Sequence, residues 1–142
     1  MRLAAMPIAA TALLAFHAGA AAPNMQEGMW EITTKMDMPG MPAKPTIMQR
    51  CVTKKEVQDA ATMPPGGAGP DKACKVTDYK IQGNAATWKM ACEGQMAMTG
   101  SGTITYGGTA YSGSQTMTMN QGGQTQNMTV HFSGKHLGEC RK

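Results

Sequence analysis

The sequence predicts a mainly β domain: an antiparallel meander curling into a small barrel or a strongly bent sheet, with one short helix and two disulfides. Three observations predict it. From Cys74 onward, apolar and polar residues alternate almost to the end of the chain, the period of half-buried strands. The runs are separated by turn pairs, Gly83-Asn84 and Gly107-Gly108, as hairpins require. Four cysteines, Cys51, Cys74, Cys92 and Cys140, follow an N-terminal segment that reads as an export signal, and export is the setting in which disulfides form.

That segment is MRLAAMPIAATALLAFHAGAAA. Arg2 is its charged start, Leu3 to Phe16 its apolar run, and Ala18-Gly19-Ala20 its cleavage pattern. Residues 1–20 are expected to be removed as a signal peptide, leaving 21–142 as a single β-rich domain in the periplasm. The apolar run falls short of the roughly 20 residues of a membrane span, and no later run approaches that length. No stable membrane insertion is expected.

The elements follow in order. GMWEITTKM at 28–36 is the first strand, with Trp30, Ile32, Thr34 and Met36 on one face and Glu31, Thr33 and Lys35 on the other. MDMPGMPAKP at 36–45 carries three prolines and a glycine, which keep it out of a ladder, so it is a loop. TIMQRCV at 46–52 is the second strand. Thr53 and Glu56 form a capping box that starts a short helix over 54–62. MPPGGAGPD at 63–71 is an exposed loop. Lys75–Gln82 and Ala85–Glu93 pair as one hairpin, and Gln95–Tyr106 and Thr109–Met119 as another. Thr125–His136 is the last strand, reached through Asn120-Gln121-Gly122-Gly123. Gly100, Gly102, Gly113 and Gly134 lie inside strands, where they are read as bends or bulges that coil the sheet.

The cysteine spacings contain no C-x-x-C, which favours two disulfides over a zinc site or a redox dithiol. Three pairings are open. A two-residue turn at Gly83-Asn84 places Lys75 opposite Cys92 and puts Cys74 one residue out of register, unless a bulge intervenes. Regular pairing therefore favours Cys51 with Cys74 and Cys92 with Cys140.

The composition narrows the function. The chain has 13 Lys and Arg against 9 Asp and Glu, scattered without a basic stripe, which argues against a nucleic-acid partner. Beyond residue 20 the only histidines are His131 and His136, and His131 falls on the face opposite Val130 and Phe132. No nucleophile elbow, H-E-x-x-H or paired-carboxylate motif appears, so no enzyme activity is expected. The sharpest signal is methionine. The chain has 15, and beyond residue 20 a single leucine, Leu137. Methionine there is either a soft, adaptable core or a supply of thioether ligands. Met36, Met38 and Met41, around the proline-rich loop, are the candidate Cu(I) or Ag(I) ligands, with Met96-x-Met98 and Met117-x-Met119 as further pairs. Met38 and Met41 flank Pro39-Gly40 and are expected to be accessible. Gly28-x-Trp30 is similar to the G-x-W of lipocalins, in which the tryptophan closes one barrel end; Trp30 is therefore the candidate barrel floor. Trp30 and Trp88 are both expected to be buried.

GMWEITTKMDMPGMP, Cys51-Val52-Thr53, CKVTDY at 74–79, TWKMACEG, MTGSGTITYGG and the terminal SGKHLGEC together resemble the Domain of Unknown Function 3617 family, small exported bacterial proteins. The resemblance covers nearly the whole of 21–142 and brings no assigned activity or site residue. It implies that MDMPGMP is a family feature. The expected function is a periplasmic, non-enzymatic binding module without a cofactor, for a hydrophobic small molecule or envelope component. The alternative is a Cu(I)- or Ag(I)-binding protein, with copper as its ligand.

Overall fold

The computed structural model describes residues 22–61, 64, 74–94 and 97–141. The expected signal peptide, nearly all of the 63–71 loop and Met96 lie outside the described residues. Seven strands form one antiparallel sheet: β1 (Gly28–Asp37), β2 (Pro45–Val52), β3 (Cys74–Gln82), β4 (Ala85–Cys92), β5 (Ala97–Tyr106), β6 (Ala110–Gln121) and β7 (Gln124–Gly138), with α1 (Lys54–Asp59) between β2 and β3. The order across the sheet is β2-β1-β7-β6-β5-β4-β3.

Strands β3 to β7 are the expected meander. The β1–β2 hairpin docks against β7, so the first and last strands are neighbours. Every pair of sequence-adjacent strands is hydrogen-bonded except β2 and β3, which are the two edges. The ladder is thus open and is not a closed barrel. Between the edges lies α1, tied to both. Arg50 of β2 forms an ion pair with Glu56, and the Tyr79 hydroxyl of β3 donates to the Ala60 carbonyl at 2.6 Å. The helix starts at the expected capping box, with Thr53 and Glu56 satisfying each other's backbone N–H groups, and its last residue is Asp59.

Turn chemistry sets two registers directly. Gly83 has φ 60 at the first position of the β3–β4 turn, as a II′ turn demands, and Gln82 pairs with Ala85. Gly122 and Gly123, at φ 58 and 81, make the I′-type turn that pairs Gln121 with Gln124.

The β3–β4 register corrects the expected cysteine pairing. Asp78 takes φ 54, and the pairing shifts by one residue between Thr77 and Lys80. That bulge brings Cys74 opposite Cys92, and the two are bonded. Cys51 is bonded to Cys140, so the C-terminal tail is tied to the edge strand β2. The expected Cys51–Cys74 and Cys92–Cys140 pairs do not form, because a regular hairpin was assumed where an aspartate supplies the extra residue.

Alternation gives the sheet two faces. The outer face is rich in Ser and Thr, including Thr99 opposite Thr118, Thr116 opposite Thr129 and Ser112 opposite Ser133. The inner face holds the core: Ala86, Trp88, Ile104 and Tyr106, with Met25, Val76, Tyr79, Ile81, Tyr111 and Phe132 packed against them. Both tryptophans are buried as expected, Trp30 at 0% and Trp88 at 3% exposure.

The four interior glycines also differ from expectation. None sits at a register shift; each pairs regularly on the inner face. Gly102 is opposite Trp88, Gly113 opposite Phe132 and Gly134 opposite Tyr111. In each pair a Cβ on the glycine would overlap the facing ring. The glycines are spaces into which aromatic rings lie down across the neighbouring strand. Gly134→Ala is therefore expected to lower unfolding stability by about 1–3 kcal/mol through overpacking, read from urea denaturation. An unchanged midpoint would show that Tyr111 moves aside freely.

Candidate functional site

Register and alternation place the inner-face side chains in cross-strand rows, and the rows change character along the strands. At one end Arg50, Trp30 and His136 form a row across β2, β1 and β7. Next come Ile32, Gly134 and Tyr111, then Phe132, Gly113, Ile104 and Ala86, then Gly102 and Trp88. Beyond Trp88 the aromatic residues stop. The following row holds Met128, Met117, Gly100 and Met90, and the one after it Met119, Met98 and Cys92. The inner face is aromatic at one end and methionine-lined at the other.

The aromatic end is closed. Trp30 lies tilted against Tyr111 and edge-on to His136, each with a ring-centre separation of 5.3 Å. Its indole N–H donates to the Gln26 carbonyl at 3.0 Å. The segment before β1 crosses this end: Met25 bridges to Gly108, and Gln26 N–H donates to Gly108. His136 Nε2 lies 3.0 Å from the Glu27 carbonyl.

Three tyrosines stand in this half. Tyr79 commits its hydroxyl to Ala60, while the Tyr106 hydroxyl is buried with no hydrogen-bond partner among the described residues. Burial raises the hydroxyl pKa of Tyr79, Tyr106 and Tyr111 above the ordinary tyrosine value; Tyr106 is pushed further by the neighbouring Tyr79 and Tyr111, and Arg50 partly offsets the rise at Tyr111. The unfolded chain releases these protons near pH ~10 and the folded chain only higher. Their contribution is complete below that pH and is lost as pH rises past it. Thermal unfolding is expected to be pH-independent in this respect up to about pH 10 and to drop steeply above it, with tyrosine ionisation at 295 nm coinciding with unfolding. Full ionisation of the native protein near pH ~10 would contradict the buried cluster.

The methionine end is partly open. Met90, Met98, Met117, Met119 and Met128 are half-buried, and Met36 at the end of β1 is 44% exposed. Gln115 Nε2 donates to the Met90 sulfur at 2.6 Å, reaching across β5. The space it crosses is above Gly100 and Gly102. A Cβ on Gly100 would lie 3.2 Å from Met117 Cγ and 3.4 Å from Met90 Cγ, so both side chains border the glycine.

The loop methionines stand apart. Met38 and Met41 flank Pro39-Gly40, Gly40 takes φ 80, and Met41 N–H donates to the Met38 carbonyl at 3.2 Å, the features of a type II turn. Met41 is 57% exposed and Met38 half-buried. Of the three candidate ligands, Met36 lies on β1, and Met38 and Met41 are joined by a backbone bridge. Sequence reasoning passed over Met90 and Met128. Neither belongs to an M-x-M pair, and both join the group only through cross-strand register.

His131 is exposed on the outer face, 3.1 Å from Asp37. No group of three His, Cys, Asp or Glu able to hold a metal occurs among the described residues. None of the described helices is long and apolar enough to cross a membrane.

A disulfide-linked single-sheet β domain with a graded aromatic-to-methionine inner face is the class these features define. The family model described as "Protein of unknown function (DUF3617)" matches residues 25–140, and the chain belongs to that family. Neither a curated protein nor a solved structure matches it.

Proposed function

We propose that this chain is an exported, non-enzymatic binding domain for an apolar small molecule or an apolar part of an envelope component. The single observation that carries the reading is the gradient on the inner face, closed by Trp30 and residues 22–27 at one end and lined by half-buried methionines at the other. The strand order supports a strongly bent sheet. It is that of a seven-stranded up-and-down barrel with one seam left open between β2 and β3, and α1 lies in that seam. The burial of Trp30, Ile104 and Ala86 to 0% exposure supports the same curvature, because one six-residue helix cannot cover the inner face of seven strands. Methionine is unbranched and polarizable, so a methionine-lined mouth adapts to ligands of varied shape. Concave, mostly apolar sites of this kind are where small molecules bind.

A brominated fatty acid titrated into the mature protein tests this. Trp88 borders the methionine rows and Trp30 is at the far end, so the expected result is quenching of Trp88 and not of Trp30, assigned with Trp88→Phe. Native mass spectrometry of protein taken from the periplasm is expected to show co-purified apolar mass. No quenching and no bound species would remove the reading.

A further inference from the structure

We infer that Met90, Met98 and Met117 form a thioether site for a soft monovalent cation, Cu(I) or Ag(I), beside Gly100. The site goes beyond the apolar-ligand reading and does not depend on it. The argument starts from register. Met90 on β4 and Met117 on β6 are both cross-strand partners of Gly100 on β5. Any side chain at position 100 would stand between them. With glycine there, the two methionines lean together over the backbone, and their Cγ atoms both come within 3.4 Å of where a Cβ would be. Met98 precedes Gly100 by two residues on the same strand and so projects from the same face at the next row. Three thioethers from three adjacent strands thus fall in two neighbouring rows of one face.

The orientation of one donor is a separate observation. Gln115 Nε2 donates to the part-buried Met90 sulfur, which turns that sulfur across β5 toward β6, the strand of Met117. A thioether sulfur is a weak acceptor with a lone pair left over for a metal. Hydrogen bonds that fix a ligand atom in this manner are what metal sites use to hold donors in place. Met119, opposite Met98, and Met128, opposite Met117, extend the sulfur lining along the same face.

The donor set decides the ion. Thioethers are neutral and soft, so they select Cu(I) and its heavier analogue over zinc, calcium or magnesium, which take imidazole, thiolate or carboxylate donors. The cysteines cannot contribute, since all four are in disulfides. The site therefore differs from the loop set Met36, Met38 and Met41, and the two can be told apart.

The mature, disulfide-intact protein is titrated with Cu(I), kept reduced by ascorbate, against bicinchoninate as competitor. The expected result is uptake of one equivalent, with Met38→Leu/Met41→Leu unchanged and Met90→Leu/Met98→Leu/Met117→Leu at least tenfold weaker. Leucine conserves volume, and circular dichroism checks that the triple variant is folded. A second measurement needs no variant: Ag(I) added to protein labelled at the methionine methyl groups should shift Met90, Met98 and Met117 and leave Met25, Met29, Met38 and Met41 in place. No uptake, undiminished affinity in the folded triple variant, or shifts confined to Met38 and Met41 would each overturn the assignment.

Discussion

Trp30→Ala will lower unfolding stability by about 3–5 kcal/mol, the usual cost of deleting a fully buried indole. Domains of this size are stable by only about 5–15 kcal/mol, so the variant stands near the threshold of folding. The reasons are local. Trp30 is fully buried, lies against both Tyr111 and His136, and donates its indole N–H to Gln26. Its loss empties the closed end of the inner face and releases the segment that crosses it. Trp30→Phe separates the two contributions. It keeps most of the ring burial but leaves the Gln26 carbonyl without its donor, so it should cost about 1–3 kcal/mol. Urea denaturation read by circular dichroism gives both values. A loss below about 1 kcal/mol for the alanine variant, in the range of surface substitutions, would mean that the aromatic end is not closed by this residue.

What the sequence disclosed, and what it withheld, divides by range along the chain. Local signals were enough for the strands, because each follows from alternation within a few residues and turn pairs such as Gly83-Asn84 need no tertiary context. The capping box at Thr53 and Glu56 is likewise complete in four residues. The docking of β1 on β7 was not legible. It joins residues about a hundred positions apart, and nothing local in GMWEITTKM names its partner. The bulge at Asp78 was withheld for a different reason. Aspartate tolerates positive φ but does not announce it, and a single such residue reversed the cysteine pairing.

The glycines teach the same lesson at the site. Gly102, Gly113 and Gly134 look like bend signals in sequence, yet their function is to lie beneath Trp88, Phe132 and Tyr111. The pairing of a glycine with a ring is invisible until register is known. Gly100 belongs to the same set, but its neighbours are methionines. There the space above the glycine is shared by two flexible side chains, since a Cβ would lie 3.2 Å from Met117 Cγ and 3.4 Å from Met90 Cγ.

Removing the Cys51–Cys140 disulfide is expected to be the more damaging of the two disulfide deletions. The bond spans a sequence separation of 89, against 18 for Cys74–Cys92. Chain-entropy reasoning assigns about 4.6 kcal/mol to the longer loop and about 3.2 kcal/mol to the shorter. Structure widens the difference. Cys74 and Cys92 are direct partners in a hairpin that its own turn and ladder already define. Cys51, in contrast, lies on β2, an edge strand held in the sheet only through β1, and its bond fastens that edge to the C-terminal tail. Without it, β2 and the attached α1 lose an anchor, and the Arg50–Glu56 and Tyr79–Ala60 ties lie across the seam thus weakened. Cys51→Ala/Cys140→Ala should therefore melt well below Cys74→Ala/Cys92→Ala, and its amide hydrogen exchange should accelerate in β2 and α1 before β4 to β6. If the two double variants melt together, or the Cys74–Cys92 deletion melts lower, the edge does not depend on this bond, and the seam is held by α1 alone.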